Sequence, residues 1–176
     1  MMQIWCRSRD DARMFQLTSP AFEDAGSLPN EYAEVSPPLE WTDPPEGTRS
    51  LALLVEKRPT LHATWEQVLE SEPDAYWVVW GLPARAGRLD AGAEPIRTGI
   101  GAHGPGYSLV PPPEYKSRVL VFRLLALSAE LELPRDATRS ELILAAADLI
   151  VDEADLEVTW NPRGRPWLDR VRRFLP

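Results

Sequence analysis

The chain has 176 residues, about one ordinary domain, and a chain of this length buries roughly 70% of the surface its unfolded form exposes. With 44% apolar and 26% charged residues and no apolar run long enough to cross a bilayer, the disordered, low-complexity and membrane-spanning classes are excluded. The net charge of −8 argues against non-specific binding to nucleic acid or to an anionic membrane.

Proline is the compositional outlier. Its 18 copies are about twice the usual share, and a ring that removes a backbone donor is barred from helix interiors and central strands, so a long helical bundle is excluded. The single cysteine, Cys6, has no internal partner for a disulfide, and Met1 to Arg13 carries polar residues where a secretory signal needs an apolar stretch. A cytoplasmic, reducing location is the expectation.

Residues 1–13 read as an N-terminal extension. Beyond them, strands are predicted at Leu51 to Glu56, Tyr76 to Trp80, Val119 to Leu127 and Leu156 to Trp160, where Val, Leu and aromatic residues run together between Pro, Gly or Asp clusters. Near-continuous apolar runs of this kind predict strands buried on both faces. A weaker helical spacing covers Ala63 to Ser71. One helix is strongly signalled: Thr138 as N-cap and Glu141 three residues on form a capping box, followed by a stripe of Leu142, Ala145, Ala146, Leu149 and Ile150, with an end expected near Ala154. Several strands before a late helix predict a mostly β, α+β domain with peripheral helices.

Two proline segments stand apart. Ser36-Pro37-Pro38 and Val110-Pro111-Pro112-Pro113 are stiff and extended and cannot pair as central strands, so each serves either as an ordinary braced loop or as a wall of a cavity. Residues 161–176 form a basic C-terminal extension with five arginines against Asp169, which places +4 there and leaves −12 on residues 1–160. A short helix is expected after Pro166. The arm either packs on the acidic body through Trp167, Val171 and Phe174 or meets a protein partner or a phosphate.

Chemical motifs are few. His62 and His103 stand 41 positions apart without a cysteine or carboxylate cluster, so no metal is expected, and Cys6 lacks the surroundings of a catalytic thiol. Gly99-Ile100-Gly101-Ala102-His103-Gly104 has a superficial likeness to a dinucleotide fingerprint but neither follows a clear strand nor opens a helix. No cofactor and no catalytic residue is assigned.

Four blocks in order do point to a family: Leu17-Thr18-Ser19-Pro20-Ala21-Phe22, Ser36-Pro37-Pro38-Leu39-Glu40-Trp41, Tyr76-Trp77-Val78-Val79-Trp80-Gly81-Leu82-Pro83, and Gly106-Tyr107 followed by Pro112-Pro113. From Met14 to Trp160 the chain resembles the phosphatidylethanolamine-binding, or Raf kinase inhibitor, protein family, in particular its bacterial branch. The resemblance implies an antiparallel β-sandwich with peripheral and C-terminal helices and a small pocket for phosphate-type anions. It also implies that the pocket has diverged. The family's Asp-Pro-Asp-x-x-Pro segment becomes Glu56-Lys57-Arg58-Pro59, its histidine before the tryptophan becomes Tyr76, and its His-Arg-Tyr becomes Arg118-Val119-Leu120.

Glu56, Tyr76, Tyr107 and Arg118 are therefore the pocket candidates. A histidine changes charge near neutral pH, whereas tyrosine offers a neutral hydroxyl and arginine a permanent cation, so acid–base cycling is not expected at this pocket. Arg118 either takes the anion itself, through charge-assisted bonds, or pairs with Glu56 and closes the cavity, the second being preferred because Val119 and Leu120 are apolar. The 20-position interval from Glu56 to Tyr76 contains Trp65, Val68 and Leu69 and is expected either to cap the pocket mouth or to pack as a surface excursion. Three functions follow: a non-catalytic binding or regulatory protein for a small anionic or organic ligand, an enzyme using the remodelled pocket through Tyr76, Arg118 and Glu56, or a protein-interaction module acting through the basic tail.

Overall fold

The computed structural model describes residues 14–58, 75–109 and 117–162. Cys6, His62, the helical spacing predicted over Ala63 to Ser71, most of the interval from Glu56 to Tyr76, the Val110 to Pro113 segment and the basic tail from Arg163 lie outside the described residues. Among these residues, ten strands, a short 3-10 turn (Asn30–Ala33) and one α-helix occur: β1 (Leu17–Thr18), β2 (Gly26–Ser27), β3 (Leu39–Trp41), β4 (Ser50–Lys57), β5 (Ala75–Pro83), β6 (Gly87–Leu89), β7 (Ile100–Gly101), β8 (Gly104–Pro105), β9 (Arg118–Leu127), α1 (Arg139–Ala146) and β10 (Ile150–Trp160).

The long strands form one sheet in the order β2-β10-β9-β4-β5, and β1-β3-β6 form a second. Every pairing is antiparallel except β2 with β10, which is parallel, so the sandwich is mixed at that edge rather than wholly antiparallel. Strand periodicity explains the layering, since alternate side chains point to opposite faces. Leu51, Leu53 and Val55 of β4, with Leu120, Phe122 and Leu124 of β9, face the small sheet and pack with Leu17, Leu39 and Trp41. Ala52 and Leu54 of β4, with Leu125 and Leu127 of β9, face the other way and pack with Leu131, Ala137, Leu142 and Ala146. Two cores share one sheet, as the unbroken apolar runs predicted.

The capping box forms as read: Glu141 N donates to Thr138 Oγ1 at 3.4 Å and Thr138 N donates to Glu141 Oε2 at 2.8 Å. The helix is shorter than expected, however. It ends at Ala146, and Ile150 already pairs with Leu127, so the predicted continuation to Ala154 and the place of Ile150 in the helical stripe are both corrected. The reason is the ladder between β9 and β10, which runs from Ile150 to Trp160 and claims residues whose acidic composition hides the alternation. Ala154, Leu156, Val158 and Trp160 point into the core, while Asp155 and Glu157 point away from it.

The glycine-rich stretch has a packing explanation. Gly99 N donates to Val78 O at 2.8 Å and Ile100 N to Ala137 O at 3.0 Å, and a Cβ on Gly99 would lie 2.1 Å from that Ala137 carbonyl oxygen. Only glycine fits so close an approach. The segment then turns back as the β7–β8 hairpin against β5.

Two outcomes test this description. Leu124 is fully buried beside the small sheet, and Leu124→Ala is expected to lower stability by about 2–5 kcal/mol in urea unfolding. The Glu141 carboxyl is held below its ordinary range by the Thr138 backbone N–H and hydroxyl. A carboxyl with a lowered folded-state pKa stabilises fully above the ordinary value, about 4.3, and loses that contribution as pH falls through the lower folded value. The protection factors of amides in the first turn of α1, with the intrinsic pH dependence of exchange divided out, are thus expected to fall as pH drops below about 4, and Glu141→Gln to remove that dependence.

Candidate functional site

Arg118 begins β9 on the same face as Leu120, Phe122 and Leu124, the face that meets the small sheet. Its Nη1 donates to the Tyr76 hydroxyl on β5. No carboxylate among the described residues pairs with it. Directly across the ladder, Trp160 stands opposite Arg118, 1% exposed, and its indole N–H finds no acceptor among the described residues. Cross-strand partners share a face, so Arg118 and Trp160 project to the same side. The His103 ring, at the tip of the β7–β8 hairpin, stacks on Tyr76 with centroids 6.0 Å apart.

Glu56 does not belong to this group. On β4 it follows Ala52 and Leu54 and projects toward α1, where Arg139 Nε donates to its Oε2 and Arg123 Nη1 stands 3.5 Å from its Oε1. The preferred Glu56–Arg118 pair therefore does not form. Parity is the cause: Arg118 and Arg123 lie five residues apart on β9, an odd number, so they occupy opposite faces, and the carboxylate is on the side of Arg123. Glu56 is 5% exposed, and two guanidinium groups balance a charge that burial alone would penalise. Arg123 extends the chain outward to Asp155, with Nε at 3.0 Å from Oδ1 and Nη2 at 3.2 Å from Oδ2. Burial disfavours the Arg123 charge, but the Asp155 hydrogen bonds and the charges of Asp155, Glu56 and Glu153 outweigh it and raise the pKa.

Tyr107 is also placed elsewhere. Its hydroxyl donates to Tyr32 O at 2.7 Å, and its ring meets Trp77 edge-on at 5.5 Å and 80°. Burial pushes the phenol far above its ordinary pKa, so it stays neutral. Trp77 and Tyr107 line a cleft of about 520 Å³ bounded by the Ser36 segment and residues 92–98. Of the four candidates, then, only Tyr76 and Arg118 meet. Trp41, Trp77 and Trp80 are buried. The sequence reading missed Arg123, Arg139 and His103. The first two were legible in principle, because Arg123 interrupts an otherwise apolar strand and must find a counter-charge; His103 needed the hairpin geometry.

The architecture defines a class before it defines a family: a β-sandwich with a helix on the outer face of its large sheet, in which a guanidinium and a phenol meet on the inner face. The sequence model of the phosphatidylethanolamine-binding protein family matches residues 18–161, and the chain belongs to that family. It is 32% identical over 152 residues to a UPF0098 protein of Chlamydia pneumoniae, covering 83% of this chain and 98% of the relative. A UPF0098 protein of the archaeon Methanothermobacter thermautotrophicus is 29% identical, with 80% and 94% covered. Among solved structures, a phosphatidylethanolamine-binding protein homologue of Chlamydia trachomatis superposes with a TM-score of 0.73 at 27% identity, covering 86% of this chain and 99% of that one. YbcL of Escherichia coli, at 20% identity and a TM-score of 0.70, shares the fold over 85% of this chain and 99% of its own. No helix among the described residues is long and apolar enough to cross a membrane.

If Glu56 is structural, its loss is felt in stability and not at Arg118. Glu56→Gln is expected to cost about 1–3 kcal/mol in urea unfolding, because it leaves Arg123 and Arg139 without their shared carboxylate. In phosphate titrations of the same variant, affinity should stay within twofold of wild type.

Proposed function

We propose that this protein is a non-catalytic binding module whose ligand presents an anionic group to Arg118, beside the Tyr76 hydroxyl. The observation that supports the reading most is the state of Arg118: a half-buried, permanent cation that donates to a phenol, with an indole N–H on the facing strand that has no acceptor among the described residues. A cation that pairs with no described carboxylate, in a partly desolvated place, attracts an anion, and the planar guanidinium can engage phosphate or carboxylate oxygens with two parallel donors. Donors predominate in this group. Tyr76 and Arg118 stand where the family pattern has its pocket histidines, so the anion site would be retained with a fixed charge in place of titratable ones.

A second reading, an enzyme acting on a small organic molecule at the same place, draws on His103, whose imidazole stacks on Tyr76. An interaction role for the basic tail rests on charge alone and is weaker.

Calorimetric titration with inorganic phosphate and with phosphoethanolamine tests the first reading. Wild type should bind saturably, and Arg118→Ala should lose about tenfold or more, the effect of removing charge-assisted bonds. Equal binding by Arg118→Ala would overturn it. His103→Ala should leave phosphate affinity within twofold; a larger loss would favour the second reading.

A further inference from the structure

The 520 Å³ cleft beside Trp77 has the opposite electrical character from Arg118. We propose that this cleft is a second binding site, which takes a small organic amine on an apolar body.

Its volume falls in the range of about 300–1,000 Å³ typical of small-molecule sites. Three segments build it: residues 34–36, 92–98 and 105–107. Among the described residues no lysine or arginine stands in its lining, while two carboxylates do, Glu34 and Glu94, both exposed at the rim. Neither makes an ion pair with a described residue. The lining thus carries two negative charges that the surrounding side chains do not balance, and a cationic ligand would balance them.

Inside the rim are aromatic rings. Trp77 is 1% exposed, and Tyr107 packs edge-on against it with its own hydroxyl committed to Tyr32 O. Because that hydroxyl is occupied and the phenol neutral, Tyr107 offers the ligand chiefly its ring. Aromatic faces attract ammonium groups and cover apolar carbon, so the two rings suit an amine with an apolar body.

Ser36 supplies the independent observation. It is 3% exposed and forms part of the wall; its carbonyl oxygen accepts from Gly92 N at 2.9 Å, but its hydroxyl has no hydrogen-bond partner among the described residues. A buried hydroxyl without a partner costs free energy in the empty protein. An N–H from an amine in the cleft would provide one. Glu34 is two residues away on the same wall, which brings a carboxylate and this acceptor to one end of the site. The walls are also stiff: Pro37 follows Ser36, and Pro95 and Pro105 stand in the other two segments, so little ordering is needed on binding.

The test is a nitrogen-15 NMR titration with phenethylamine, and with 3-phenylpropionate as the same body carrying the opposite charge. Phenethylamine should move the amides of Ser36, Gly92 and Gly106 saturably, and 3-phenylpropionate should leave them in place. Glu34→Gln with Glu94→Gln should weaken phenethylamine about fivefold, weakening of that size being what two exposed rim charges contribute, while phosphate affinity stays at the wild-type value and shows that the variant is folded. Ser36→Ala should weaken phenethylamine about threefold yet leave the melting temperature unchanged or higher, since it removes an unsatisfied group. Amides unmoved by phenethylamine, equal shifts with 3-phenylpropionate, or undiminished affinity in the double variant would each overturn the proposal.

Discussion

Because β4 and β9 are covered on both faces, any charge they carry must find its counterpart inside the protein or at the margin of a packed layer. Glu56 is the charge that exposes this rule. It sits among Ala52, Leu54 and the underside of α1, and it is tolerated there because Arg139 comes down from the first turn of the helix and Arg123 reaches across from β9. Asp155 then holds Arg123 from β10. The resulting series, Asp155, Arg123, Glu56, Arg139, crosses three neighbouring strands and ends on the helix. It ties α1 to the sheet at a defined position, something the apolar contacts of Leu142 and Ala146 do less specifically.

The same rule separates the functional chemistry. With Glu56 committed to the helix face, Arg118 on the other face donates to the Tyr76 phenol instead. The pocket that the family resemblance placed around four residues becomes a donor-rich pair, Tyr76 and Arg118, while Tyr107 contributes to a different, acid-rimmed cleft a short distance along β5. Strand alternation, more than any single substitution, decides which of these residues can act together.

Much of the fold was legible in the chain. The runs around Leu53, Val78 and Phe122 marked β4, β5 and β9, and Thr138 with Glu141 marked the helix start to the residue. The helix end was not legible, because Leu149 and Ile150 continue a helical stripe as well as they begin a strand, and only the pairing of Ile150 with Leu127 decides between them. The site was harder. Tyr76 and Arg118 were found from their places in family blocks, but the partner of Glu56 depended on counting parity along β9 and on where Arg139 would land. The short strands β1, β2, β3, β6, β7 and β8, two or three residues each, leave too little pattern to be read locally.

The outer edge of β10 carries one more consequence. Its parallel partner β2 covers only Val158 and Thr159, so from Ile150 to Asp155 the strand has no neighbour on that side among the described residues. Open edges invite another chain to add itself to the sheet. Here the exposed stretch bears Asp152, Glu153 and Asp155, with Glu157 just beyond, and two copies meeting along it would set carboxylate against carboxylate. The acidity that first read only as a bar to nucleic acid thus also opposes pairing of a second copy along this edge.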